Sequence, residues 1–169
     1  VKMPQDSMIR LMKGPKGSKV RITVSRGGTL IPFDIIRDKI PVNCVDASFM
    51  LNDTTGYIKL SKFTRTTYKE FTEAAESLVD KGMTRLIFDL RDNSGGYFDQ
   101  SWKLANEFLE RGDEVVYMEG LHRPRQNFDA DGRGSLKNVL LSVLIDEGTA
   151  SSSEIFSGAI QDNDRGVIV

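Results

Sequence analysis

The sequence predicts an α/β fold with a largely parallel sheet, and three observations carry that expectation. After residue 66, amphipathic helical stretches alternate with short apolar runs, the pattern of strands joined by crossover helices. The runs Leu86-Ile87-Phe88-Asp89-Leu90 and Val139 to Ile145 are almost continuously apolar, as expected of strands buried on both faces. Gly82 and Gly112 stand where the first two helices of the series should stop.

The elements follow in order. Met8, Ile9, Leu11 and Met12 give a short helix an apolar side, stopped by Gly14-Pro15. Val20, Ile22 and Val24 alternate with Lys19, Arg21 and Thr23, and Ile31, Phe33 and Ile35 alternate on a return strand. Between them Arg26-Gly27-Gly28-Thr29 is a tight-turn signal. A helix and a hairpin cannot bury a core alone, so residues 1–40 read as part of a larger unit. Arg37-Asp38-Lys39-Ile40-Pro41-Val42 is the predicted boundary, with a second unit over 41–169. There Val45, Ala47, Phe49 and Leu51 alternate, Asn52-Asp53-Thr54-Thr55 turns the chain, and Gly56 to Leu60 returns it. Thr67-Tyr68-Lys69-Glu70 fits a capping box. Phe71, Ala74, Ala75, Leu78 and Val79 then share a helical face. Phe98, Trp102, Ala105 and Leu109 mark the next helix, and Val115 to Met118 another strand. Residues 120–137 read as a long polar connection. Ile155, Phe156, Ala159 and Ile160 form the last helical face, and Gly166-Val167-Ile168-Val169 breaks off inside an apolar strand, which implies further sequence beyond Val169.

Composition removes several functions. The 23 basic residues against 24 acidic ones leave a net charge of -1, so no basic surplus points to nucleic acid. Cys44 is the one cysteine and His122 the one histidine, which excludes an intrachain disulfide and any metal site built on a Cys or His cluster; no cofactor is implied. No apolar run reaches the length of a membrane span, and Val1 opens no signal peptide.

Two segments could carry chemistry, each directly after a buried strand, where α/β sheets place ligands. In Asp146-Glu147-Gly148-Thr149-Ala150-Ser151-Ser152-Ser153-Glu154-Ile155, a serine at a helix start would sit in the positive field of the helix. The same residues fit an ordinary capping box, and both readings stand. In Asp89-Leu90-Arg91-Asp92-Asn93-Ser94-Gly95-Gly96, the paired glycines could aim backbone N–H groups at an anion, or simply turn the chain. His122, between Leu121 and Arg123-Pro124-Arg125, is a weak alternative base for Ser151. Gly14-Pro15-Lys16-Gly17 fits an RNA-clamp loop, but the charge argues against it. Asp129-Ala130-Asp131-Gly132 hints at a calcium loop, yet Leu140 stands where its glutamate should be.

Taken in order, Gly56-Tyr57-Ile58, Leu90-Arg91-Asp92-Asn93-Ser94-Gly95-Gly96, Thr149-Ala150-Ser151-Ser152-Ser153-Glu154-Ile155 and Gln161-Asp162 resemble the carboxyl-terminal processing (tail-specific) serine peptidases. Ser94 stands in place of that family's proline, Thr149 in place of its first serine, and Ser152 in place of an alanine. Gly14-Pro15-Lys16-Gly17 and Arg37 to Val42 resemble the end of the PDZ domain those enzymes carry. The resemblance implies a crotonase/Clp-protease-like core of stacked ββα-type units, preceded by the C-terminal part of a PDZ domain. It implies Ser151 as nucleophile, an oxyanion hole from Gly95 or Gly96 and from Ser152, and a supporting part for Asp162. The general base would be a lysine beyond Val169, since none follows Lys137, so these residues alone should be inactive. The implied partners are proteins or peptides with free C-termini, and the implied location is periplasmic or otherwise extracytoplasmic. Two alternatives are a non-catalytic module of the same fold that binds peptides or apolar ligands, and an acyl-transferring or acyl-CoA enzyme on a crotonase-like core.

Overall fold

The computed structural model describes residues 4–38 and 43–169, which fall into two units, 1–42 and 43–169. Of the boundary expected at Arg37 to Val42, residues 39–42 lie outside the described ones.

In the first unit, helix α1 (Gln5–Met12) precedes strands β1 (Lys19–Arg26) and β2 (Thr29–Ile36), which pair antiparallel with Ile22 opposite Phe33. Gly27 and Gly28 both take positive φ, 56° and 81°, the two-residue turn whose twist matches a hairpin. Arg37 holds this unit together. Its guanidinium donates to the carbonyls of Leu11 (3.0 Å) and Met12 (2.7 Å) at the end of α1, and to Lys19 O and Ser18 Oγ. A cation there satisfies carbonyls that have no partner within the helix. Helix α1 buries none of its residues.

The second unit is built on a five-stranded sheet. Strands β3 (Val45–Met50) and β4 (Thr55–Leu60) form the predicted hairpin, its turn fixed by Asn52 Oδ1, which accepts from the amides of Thr54 and Thr55. Then follow helix α2 (Thr67–Val79), β5 (Arg85–Asp89), α3 (Phe98–Asn106), β6 (Glu114–Gly120), β7 (Arg123–Asp129), β8 (Leu140–Leu144), α4 (Ser152–Asp162) and β9 (Gly166–Ile168). The sheet order is β3-β4-β5-β8-β9, antiparallel only between β3 and β4. Ile58, Leu60, Leu86, Phe88, Leu141 and Val143 face the core, where Phe71 of α2 and Phe156 of α4 meet Phe88, and Phe108 meets both of them, in an edge-to-face cluster with centroids 5.0–6.1 Å apart. Each such ring contributes about 2–3 kcal/mol by leaving water.

Three expectations need correction. The apolar strands are fully buried on one face and only partly on the other: Leu86 and Phe88 are buried, Ile87 between them is half-buried, and the buried residue on its face is the charged Asp89. Strand β6 stands apart from the main sheet and pairs with β7 inside the segment expected to be a polar loop. Strand β7 lacks apolar alternation because few of its side chains reach the core. Phe128 packs edge-on against Phe98, 4.9 Å between centroids, while Arg125 lies 3.8 Å above the Tyr117 ring and pairs with Glu114. Finally, the capping box at Thr67 does not form. Thr66 is the N-cap, and the Glu70 carboxylate accepts from Thr66 Oγ1 (2.7 Å) and from the Cys44 amide (2.7 Å), tying α2 to β3.

Candidate active site

The loops leaving β5 and β8 lie side by side, because those strands are parallel neighbours and both loops emerge at their carboxyl ends. A buried carboxylate anchors the first loop. Asp89 accepts from Tyr57 Oη (2.6 Å), from the Arg91 amide (2.9 Å) and from the Arg91 guanidinium (3.0 and 2.7 Å), with Lys59 Nζ at 3.6 Å. Burial opposes its ionisation, but these donors prevail and hold the carboxyl well below the usual carboxylate range. From this anchor the chain reaches Asn93, fully buried, whose Nδ2 donates to Leu60 O (2.8 Å) and whose Oδ1 accepts from Gly95 N–H (2.9 Å). Gly95 O accepts from Phe63 N–H (3.0 Å) and Tyr97 N–H donates to Phe63 O (2.9 Å). The Gly96 N–H takes no part in that bridge, and Gly96 is exposed.

The second loop folds on Asp146, whose Oδ1 accepts from the amides of Asp92 (2.8 Å) and Gly148 (3.0 Å). The Asp92 amide first, and Gly148 after the cost of desolvation, keep this carboxyl below its ordinary range. Three hydroxyls then stitch the two loops together. Thr149 Oγ1 donates to Leu90 O (2.9 Å), Ser152 Oγ to Gly96 O (3.0 Å) and Ser153 Oγ to Asn93 O (3.0 Å), while the Ala150 amide also donates to Asn93 O.

Ser151 makes no such tie across the loops. It is exposed, with φ 56° and ψ −116°. It N-caps α4 in a capping box with Glu154, whose Oε2 accepts the Ser151 amide at 2.6 Å. Ordinary N-caps lie in the extended region, so capping alone does not explain a positive φ. A serine held in such a conformation at a strand-to-helix turn is the arrangement that lifts a nucleophilic hydroxyl clear of a sheet. Gly95 packs against this turn so closely that a Cβ there would lie 2.7 Å from Ser152 N and 2.8 Å from Ser151 Cβ.

The structure thus brings Ser151, Ser152, Gly95 and Gly96 together. It does not bring Asp162 to them: that exposed residue ends α4, roughly 16 Å from Ser151 at about 1.5 Å of rise per residue. His122 sits in the exposed turn between β6 and β7 and has no hydrogen bond to Ser151. The residues that shape the site without having been singled out are Asn93, Glu154, Asp89 and Tyr57. For Asn93 a signal existed: asparagine two residues before a glycine readily bonds the backbone ahead of it. For Asp89 and Tyr57 there was none, since their contact depends on the pairing of β4 with β5.

The model of peptidase family S41 matches residues 54–169. A probable CtpA-like serine protease of Staphylococcus saprophyticus is 32% identical over 163 residues, covering 96% of this chain and 33% of the relative. A carboxyl-terminal-processing protease of Synechocystis is 35% identical over 171 residues, 97% of this chain and 39% of the relative. Among solved structures, a photosystem II D1 C-terminal processing protease is 27% identical with a TM-score of 0.68, over 92% of this chain and 44% of that one. The chain spans about a third of the length of the curated relatives it matches. With a strained serine between β8 and α4 and a diglycine turn packed against it, the chain belongs to peptidase family S41.

Proposed function

We propose that the protein carrying this chain is a serine endopeptidase of the carboxyl-terminal processing type, with Ser151 as nucleophile. The observation that carries the reading is the exposed serine at φ 56° in the turn between β8 and α4, against Gly95. The Ser151 oxygen adds to the scissile carbonyl as its proton passes to the base. The carbon–nitrogen bond then breaks, the amine leaves with that proton, and water hydrolyses the acyl-enzyme. The oxyanion is received by N–H groups of Gly96 and Ser152. Gly95 serves by its shape, since its own N–H is committed to Asn93. The base is a lysine outside these residues, desolvated so that it is neutral near pH 7. Residues 1–40 form part of a PDZ domain that receives the substrate's free C-terminus as an added strand. Residence in the periplasm or outside the cell follows from the same family likeness, and Asp162 takes no part in the bond chemistry.

The test is hydrolysis of a peptide by the full-length protein. Ser151→Ala should lower kcat/KM by about three orders of magnitude or more. Amidation of the peptide's C-terminus should raise KM. Turnover by the alanine variant at the wild-type rate removes Ser151 from this role.

A further inference from the structure

Helix α4 has a glycine in its interior, Gly158, in an otherwise regular helix. Glycine is among the poorest residues at such a place, because it loses the most backbone freedom and packs nothing. Glycines in tight spots are usually forced by a neighbour. Here nothing lies within 4 Å of where a Cβ would be, and φ is not positive. The space beside Gly158 is a groove of about 410 Å³ between α4 and β6. Val116, Ile155 and Ala159 give it an apolar floor, and Glu154 and Asp162 stand at its two ends. Glu114 also borders it but is already paired with Arg125 at 2.6 Å. No lysine or arginine lines it. Glu154 is the residue that holds the Ser151 amide, so the groove begins one helical turn from the nucleophile. From Glu154 to Asp162 it runs about 12 Å along the helix axis, room for three or four residues of extended chain.

We propose that this groove is a substrate subsite selective for a basic side chain, a reading that rests on the peptidase assignment. The aliphatic stem of a lysine or arginine lies over Ile155, Gly158 and Val116, and its charged head meets Asp162. This division of labour, apolar along the stem and anionic at the end, is what long cationic side chains require. Gly158 keeps the stem's path open. Asp162, remote from the Ser151 hydroxyl, thereby selects substrate.

The experiment compares matched peptides carrying Lys, Leu or Glu at each of four positions on either side of the scissile bond, cleaved by the full-length protein. At one position or more, kcat/KM should favour Lys over Glu at least tenfold. Asp162→Lys should reverse that order, and Gly158→Val should reduce the Lys preference by blocking the stem. Binding of the same labelled peptides to the full-length Ser151→Ala protein repeats the comparison without turnover. If no peptide is cleaved but Lys peptides still bind more tightly, the peptidase assignment fails and the subsite stands. Equal binding and equal kcat/KM for Lys and Glu peptides at every position overturns the subsite. So does a preference untouched by Asp162→Lys. A Gly158→Val protein with unchanged selectivity and a lowered Tm would mean that another segment of the same protein fills the groove, which also overturns it.

Discussion

Four hydroxyls crowd positions 149–153, and only one of them is held out of the structural stitching. Thr149, Ser152 and Ser153 each donate to a carbonyl of the neighbouring loop, whereas Ser151 is exposed on strained backbone. Gly95 bears most directly on that difference. At φ 89°, with Ser152 N 2.7 Å from the position of a Cβ, it accepts no side chain without moving the Ser151 turn. Gly95→Ala should therefore cost about 2 kcal/mol in urea unfolding and at least tenfold in kcat of the full-length protein. Cys44 is the opposite kind of residue. Its side chain is fully buried, and burial pushes its thiol above the ordinary value despite the hydroxyl of Thr67. Thiol reagents should leave it unmodified at pH 8 in the native protein and react completely in denaturant.

At the scale of elements, the start of α4 is coupled to the diglycine loop through the Ser152 hydroxyl. Ser152→Ala should lower stability by about 1 kcal/mol. It should also lower kcat more than it raises KM, because Gly96 loses the partner of its carbonyl; Ser152→Thr, which keeps the hydroxyl, should restore most of the loss. The elements themselves were largely legible. Hydrophobic alternation located β3, β4 and both strands of the first hairpin, and the helical faces of α2 and α4 were evident from Phe71 and Phe156. What escaped was structure decided by long-range contact. Strand β7 has the sequence Arg-Pro-Arg-Gln-Asn-Phe-Asp, and it is ordered by Tyr117 and Glu114 on its hairpin partner β6 and by Phe98 and Trp102 of the more distant α3. Glu70 looked like a cap and instead serves β3. At the candidate site, the motif pointed to Ser151 and the two glycines, and the fold places them side by side. Asn93 as the consumer of the Gly95 amide was signalled by its place two residues before a glycine, whereas Asp162 as a distant residue became visible only with the helix in place.

For the whole molecule, the Asp89 cluster joins β4, β5 and the site loop, and its charge makes stability depend on pH. A carboxyl held below its unfolded value stabilises the fold fully above the ordinary carboxylate pKa of about 4, and that contribution is lost as pH falls toward the folded value. Arg91 is half-exposed, which weakens the pair by solvent screening. Asp89→Asn should cost about 2–3 kcal/mol at pH 7 by urea unfolding. The gap between the two proteins should hold from pH 8 to pH 5 and narrow below pH 4. A gap independent of pH down to pH 2 would assign the loss to shape rather than charge.

The hydroxyl stitching between the two loops also has a temporal consequence. Its partners are separated by more than fifty residues, and they meet only once β8 has docked in parallel register beside β5. Contacts of that kind form late. A nascent or half-folded chain therefore has the serine without the diglycine turn beside it, so under the proposed function cleavage by Ser151 stays disarmed until folding is essentially finished.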